Sequence, residues 1–460
     1  MKRIFITLAA FLLLFTTTIA LAAHTPAATP PSYRITFLGA ETSVGASVSA
    51  PSLNQDGTAV GNYITPNQKH RGWVWDAQAG QRVYLPLPPF ATDAEVADVN
   101  NNAFILGSVW NATSGKRLAL WTPGAEGYVF NALCNNEVIE GIALNDNNVI
   151  IGHRTIGGSQ QIGIRYVPGV GCQDLTELGF NALPYAINEE NWIVGGTQLL
   201  MGSQVENLGN APGYPFTELR AINDAHGIAG NASDGVNERL AHLFNQTEWS
   251  LIGPEAAIAQ IQGLNNNQYF VGVGETLESS DPGGIQGWYC LTCTMTVSSY
   301  LVHVDDLLIN QFSDYSITLT SDINDARQMV GRAYNSATMQ YDAVLLTPVG
   351  QCAQNCLRAQ AINLFPYTVG GNQLVIARVT VRNEQGASVP NAAVQGAWQR
   401  PDGSIQVVNG TTNNNGYVFL FIPYAGPGNY SLNVLNITRG PNTHFDPLNS
   451  NQLMNTITLP

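Results

Sequence analysis

Six carboxylates stand in two stretches of this sequence that could house chemistry: Glu275, Glu278 and Asp281 in the first, Asp305, Asp306 and Asp314 in the second. Carboxylates gathered in this way ligate a cation such as calcium through hard oxygens, or divide the acid and base roles of glycosidic bond cleavage. A solvated acidic rim accounts for the same residues without any ligand and is the simpler reading. Trp110, Trp192 and Tyr269 offer faces that stack on sugars, although such rings also serve as packing between sheets.

Other catalytic patterns are absent. There is no Gly-x-Ser-x-Gly elbow, His-Glu-x-x-His pair, phosphate loop or dinucleotide glycine fingerprint. Asp146, Asp224 and Asp325 lack the residue order of a calcium loop. The expectation is therefore no catalytic residue, no metal centre and no cofactor, with a structural cation such as calcium as the one admissible addition.

The six cysteines, Cys134, Cys172, Cys290, Cys293, Cys352 and Cys356, read as disulfides because the chain carries an export signal. Cys290 and Cys293 lack the setting of a redox motif, and Cys352 and Cys356 lack histidine partners for zinc. Six cysteines allow fifteen connectivities. The preferred one joins Cys134 to Cys172, Cys290 to Cys293 and Cys352 to Cys356.

The elements that position these residues follow from a repeat. An aliphatic residue, an asparagine, four mostly polar residues, an apolar pair and a glycine recur seven times, at Asn54, Asn100, Asn145, Asn188, Asn223, Asn265 and Asn324. Their mean spacing of 45 residues suits one four-stranded propeller blade. In five copies a large apolar residue stands fourteen positions after the glycine: Trp75, Trp121, Tyr166, Phe244 and Leu345. The fourth copy lacks it. Asparagine makes the turn of a hairpin, the glycine marks a close backbone approach, and third and fourth strands follow. A ring of seven asparagines resembles a binding belt, but turn chemistry explains each one.

The last copy has no outer strand of its own, whereas Tyr33 to Gly39 forms an outer strand with no blade before it. Pairing the two closes the ring and hides its last edge. The interval before the seventh copy is 59 residues, and its excess lies in the two loops that hold the six carboxylates. Strand alternation puts both loops on one rim of a rigid scaffold, a usual place for function.

The "Ala-Phe/Leu-Trp"-like third strands, Arg117-Leu118-Ala119-Leu120-Trp121 and Arg239-Leu240-Ala241-His242-Leu243-Phe244, together with the asparagine hairpin, resemble the extracellular repeats named for a His-Ala-Phe signature, here in degenerate form. The resemblance spans 33–350. It implies an exported β-propeller and no particular activity. Beyond it, Val379-Thr380-Val381, Trp398, Thr411-Thr412-Asn413-Asn414-Asn415-Gly416 and Phe445-Asp446-Pro447 resemble the immunoglobulin-like modules of secreted bacterial proteins.

The expected architecture is all-β: a signal peptide over 1–22, a spacer over 23–32, a seven-bladed β-propeller over 33–350, a linker with Cys352 and Cys356 over 351–371, and a small immunoglobulin-like β-sandwich over 372–460. Lys2 and Arg3 before an apolar run, then Ala20-Leu21-Ala22, carry the export signal. No later stretch is apolar enough to span a membrane. The chain of 460 residues has 44 asparagines, 45 glycines and only 11% charged residues, which fits turn-rich blades that cover one another. Its net charge of -14, with three lysines, excludes a nucleic-acid backbone as partner. The expected function is an exported, non-catalytic binding or adhesion protein that meets an extracellular glycan or protein surface, secreted, periplasmic or held at the cell surface. The alternative is a secreted glycoside hydrolase or polysaccharide lyase that uses the rim carboxylates.

Overall fold

In each repeat the asparagine fixes a tight hairpin. The residue three positions on takes a left-handed φ, between 58° at Ala103 and 80° at Gly57. Its amide donates to the asparagine carbonyl, as Asn148 does to Asn145 at 3.0 Å. The asparagine Oδ1 meanwhile accepts the amide four positions on, in all seven copies. This is a type I turn closed by a left-handed residue, which returns the strand antiparallel.

The structure, a computed structural model, describes residues 31–39, 47–77, 79–157, 159–244, 248–256, 259–275, 285–290, 301–309, 314–349, 355–440, 443–446 and 454–460. These form nine four-stranded sheets. Seven are meanders, or blades. Blade one runs Ser47–Leu53, Ala59–Ile64, His70–Asp76 and Gln81–Tyr84. Blades two to six occupy 93–132, 139–174, 186–207, 216–256 and 259–303. Blade seven holds Tyr315–Ile323, Met329–Asn335 and Gln340–Val349, and its outer strand is Ser32–Phe37. The expected closure is therefore present, with Ile35 opposite Leu346.

The repeated glycine has a steric cause. A Cβ on Gly61, Gly107, Gly152, Gly230, Gly272 or Gly331 would fall 2.0 to 2.5 Å from a carbonyl oxygen of the blade's first strand, and one on Gly195 would fall 1.9 Å from the Leu183 carbonyl just before that strand. In six blades that strand bulges beside the contact, for example between Val96 and Asp98. The bulge presses one backbone onto the next and re-aims the following side chain. Blade four keeps its third strand despite its short period. Gln198–Met201 follows Gly195 after a two-residue turn, and Leu199 and Leu200 are buried.

The same asparagines join the blades. Nδ2 of Asn54 donates to the carbonyl of Asn100, and so on around the ring through Asn145, Asn188, Asn223, Asn265 and Asn324 back to Asn54, at 2.7 to 3.3 Å. All seven are buried. Each side chain thus builds its own turn and ties it to the next.

Two further sheets form a sandwich. One holds Tyr417–Pro423, Asn372–Asn383, Cys356–Val369 and His444–Phe445 in that order, and the other Ile405–Thr411, Ala393–Gln399, Gly428–Thr438 and Met454–Leu459. Trp398, Val379, Leu420 and Leu432 lie in the core between them. The linker expected over 351–371 is corrected here, since Cys356–Val369 is a long strand that pairs with Asn372–Asn383. A bulge between Ala359 and Ala361 breaks its alternation, and among the described residues no strand pairs with the other side of Pro366. Both features disguised it. The signal peptide at 1–22 lies outside the described residues, as does the spacer apart from Pro31 and Ser32, which opens the outer strand of blade seven.

Cys134, in a short turn between blades two and three, is bonded to Cys172 on the outer strand of blade three, as expected. Cys356 is also disulfide-bonded. Cys352 and Cys293 lie outside the described residues, and of Cys290 only its place in the strand Ile285–Cys290 is described.

Candidate functional site

The strands that carry the expected rim carboxylates give them different settings. Glu275 ends the strand Phe270–Glu275, while Glu278 and Asp281 lie outside the described residues. Asp305 sits in the single turn Val304–Leu307 that leads to blade seven, and both its oxygens accept the Ile317 amide, at 2.9 and 3.2 Å. Burial pushes its carboxyl up to about 6. Asp306 beside it is exposed. Asp314 accepts from Gln399 of the sandwich, and its carbonyl takes the Ser336 amide at 2.7 Å. Asp305 thus holds the entry to a strand and Asp314 holds the junction of the two domains.

On the rim where that excess was expected, at blades five and six, there is a pocket of about 300 Å³. Phe216 opens the first strand of blade five beside Ser233, and Ser233 faces Glu238 across the next turn. Gln260 of blade six forms the far wall. Phe216 is 62% exposed. Arg220 grips one oxygen of Glu218 with Nε at 2.8 Å and Nη2 at 2.6 Å, and its guanidinium lies 4.1 Å from the centre of the Tyr185 ring. Asn231 turns its oxygen to the Ile261 amide at 2.9 Å, which fixes its side chain between the two blades. One open ring edged by carboxylates, a guanidinium and amides suits a ligand with an apolar face and a hydroxyl-bearing edge.

A second group of acids lies on the opposite rim, at the asparagine turns. The residue after each asparagine also closes a cycle. The amide of Gln55 donates to the Asn101 side chain, and the pattern passes through Asp146, Glu189, Asp224, Asn266 and Asp325 back to Gln55. Burial, with Asp146 and Asp224 nearby, pushes Glu189 up to about 7. Below this cycle, Ser52 Oγ lies 2.7 Å from Asp98 and 3.0 Å from Asp322. Asp98 also accepts the Leu144 amide of blade three at 2.9 Å, and Asp322 the Leu53 amide of blade one at 3.1 Å. Burial raises Asp98 to about 6, and burial together with Asp98 raises Asp322 to about 7. A hydroxyl has one proton to give. Ser52 can bond both acids only when one of them is protonated, so burial keeps a proton on the pair that Ser52 bridges.

Sequence reading missed these two acids, yet a signal was there. Two positions before the asparagine the other copies carry Ser52, Ala143, Ala186, Ala221 and Gly263, all small. Among the described residues no group of three or more His, Cys, Asp and Glu side chains could hold a metal ion. The aromatic candidates serve as packing: Trp192 stacks on His226 with centroids 4.2 Å apart, Trp110 lies beside His70 and Lys116, and Tyr269 under Arg327.

No protein-family model matches the chain, and no curated protein matches it. Among solved structures it is similar to β-propeller proteins. TolB from Acinetobacter baumannii aligns at 10% identity and TM-score 0.29 over 65% of this chain and 54% of TolB. Sqt1 from Saccharomyces cerevisiae aligns at 11% and 0.32 over 86% and 100%, and the Dos1 propeller at 11% and 0.22 over 85% and 94%. The chain is an all-β protein with a propeller. It spans about half the length of TolB, and likenesses at these scores lend it no function. No described helix is long and apolar enough to cross a membrane.

Proposed function

We propose that this chain is an exported, non-catalytic binding protein, in which a seven-bladed propeller of the His-Ala-Phe-repeat type presents a ligand pocket and an immunoglobulin-like sandwich carries it. The Cys134–Cys172 disulfide supports an oxidising compartment outside the cytosol. The observation that carries the reading is the pocket between blades five and six, where an exposed Phe216 stands among Glu218, Arg220, Asn231, Glu238 and Gln260. Its volume is at the small end for ligand pockets and suits one or two sugar residues of a glycan. The rim carboxylates give less support to a hydrolase, because Asp305 and Asp314 hold the backbone and the sandwich.

Calorimetric titration against a panel of soluble glycans tests this. The expected result is saturable binding without product, weakened at least ~10-fold by Phe216→Ala, since loss of a stacked ring removes roughly 1.4 kcal/mol or more. Binding that ignores Phe216→Ala, or no binding to any glycan, refutes the pocket. Turnover of a glycan that stops with Glu238→Gln would replace binding by catalysis.

A further inference from the structure

The two sheets of the sandwich are treated differently by the rest of the molecule. Ala397, Ile405 and Leu435 on the sheet that contains Ala393–Gln399 lie in one cluster with Tyr33, Ile35 and Phe37, so blade seven covers that sheet. The Arg34 guanidinium adds a bond to Asn436 at 3.2 Å, and Asn335 one to the Gly403 carbonyl at 3.0 Å. The outer face of the other sheet is open. Phe419 and Phe421 are 50% and 57% exposed, and Tyr367 and Val369 are each 51% exposed. Phe421, Ile376 and Phe365 form one row across three strands, and Pro423, Leu374 and Tyr367 form the next.

The strand Tyr417–Pro423 is the edge of this sheet, and among the described residues no strand pairs with its outer side. It has no charge, no bulge and no internal proline over six successive apolar residues, with Val418, Leu420 and Ile422 buried and Phe419 and Phe421 open. Soluble proteins blunt such edges with lysine, proline or a bulge, because a bare apolar edge invites another strand. Here none of these devices is present.

The sequence of the edge names its partner. Val418-Phe419-Leu420-Phe421-Ile422 reads nearly alike in both directions about Leu420. An antiparallel pair of two such strands about a two-fold axis at Leu420 sets Phe419 opposite Phe421 of the second copy twice over, with Val418 opposite Ile422 on the inner face. A two-fold contact needs self-complementarity of this kind. We propose that two copies of the chain associate through this edge, making one eight-stranded sheet with a continuous aromatic face.

Charge favours edge pairing over face-to-face stacking. Arg378 stands in the middle of the open face, opposite Phe419, and bonds Asn363 at 3.1 Å, with no carboxylate among the face residues named here. Stacked faces would bury two unpaired guanidiniums, which is costly. Edge pairing keeps the two Arg378 side chains three strand spacings apart, about 14 Å and beyond the screening length of physiological salt. The half-open aromatic rings leave a few hundred Å² for the contact, below the ~800 Å² per partner of a standard interface, so the dimer forms in the micromolar range.

Sedimentation velocity of the full-length chain from about 1 to about 100 µM reads the association directly. The expected result is a shift from monomer to dimer for the wild type, and at least ~100-fold weaker association for the double variant Phe419→Lys, Phe421→Lys. Both side chains are exposed, so the fold survives, and an unchanged circular dichroism melt verifies it. Val170→Lys with Val236→Lys, at positions 80% and 81% exposed on the propeller, leaves the dimer intact. Concentration-dependent slowing of amide exchange within 417–423 marks the edge as the contact. A wild type that stays monomeric throughout, a lysine variant that still dimerises, or exchange in 417–423 that ignores concentration overturns the proposal. So does a loss of glycan binding in the lysine variant with no change in mass, which would make the face a ligand platform.

Discussion

Replacing Asn145 by alanine tests the claim that one side chain both makes a turn and joins two blades. Asn145 is 2% exposed. Its Oδ1 accepts the buried Val149 amide at 3.0 Å, and its Nδ2 reaches the Asn188 carbonyl at 2.9 Å and Asn191 Oδ1 at 2.8 Å. Alanine leaves the Val149 N–H without a partner, a cost of about 1–3 kcal/mol. The Asn188 carbonyl keeps the Asn191 amide at 3.0 Å, so that acceptor and Asn191 Oδ1 lose about 1 kcal/mol each. The expected destabilisation is therefore about 3–5 kcal/mol in urea unfolding, a large part of a typical total of 5–15 kcal/mol. Asn145→Asp at pH 7.5 should cost as much, because it keeps the acceptor for Val149 but aims a carboxylate at a carbonyl. Asn147→Ala is the control, since its exposed Nδ2 makes one bond, to the Glu189 carbonyl at 2.9 Å. If Asn145→Ala costs less than about 1 kcal/mol, or no more than Asn147→Ala, the hydrogen-bonded cycle is not what holds neighbouring blades together.

Two further outcomes follow from the same geometry. Because Asp322 binds its proton up to about pH 7 in the folded ring and only to about 4 when unfolded, its contribution to stability is greatest below pH 4 and is lost as pH rises towards 7. Asp322→Asn should flatten the pH dependence of unfolding between 4 and 7 by at most about 4 kcal/mol; an unchanged slope would mean that the acid is not raised. Removing the Cys134–Cys172 bond by Cys134→Ser with Cys172→Ser opens a loop of separation 38, worth about 4 kcal/mol by chain entropy, so the melting temperature should fall by about 6 °C for a propeller of this size. A fall of under about 2 °C would show that blade three holds that turn without the bond.

The parts of this fold that were legible in the sequence are those in which one residue does one local job in every copy. The asparagine turn recurs because each copy needs an acceptor for the amide four positions on. The glycine recurs because each copy brings a carbonyl within 2.5 Å of where a Cβ would be. The closure by residues 33 to 39 was legible as an outer strand without a blade. What stayed hidden depends on neighbours that the sequence does not place. The Nδ2 bond between blades leaves no trace, because the turn alone already requires asparagine. Asp98 and Asp322 become a coupled pair only when blade one is inserted between blades seven and two. The pocket at Phe216 draws on two blades, and the strand Cys356–Val369 is masked by a bulge and a proline.

The division of labour between the rims explains why binding belongs at blades five and six. On the asparagine rim the side-chain amide of each asparagine and the backbone amide of the residue after it are committed to the next blade, in two complete cycles. A change of length or shape there would break the ring at two bonds at once. The opposite rim carries no such cycle among the described residues, so its turns vary in length at little cost to closure. The pocket falls on it. The excess of the longest interval, expected on this rim alone, is shared with the asparagine rim, because 291–300 joins Ile285–Cys290 to Leu301–His303, the third and fourth strands of blade six. Closure itself is tied to the second domain, because the strand Ser32–Phe37 that completes blade seven is also the surface on which the sandwich rests. The sandwich therefore does more than extend the chain. By covering Tyr33, Ile35 and Phe37 it holds the last strand in the ring, and its own open sheet is left facing away from the propeller.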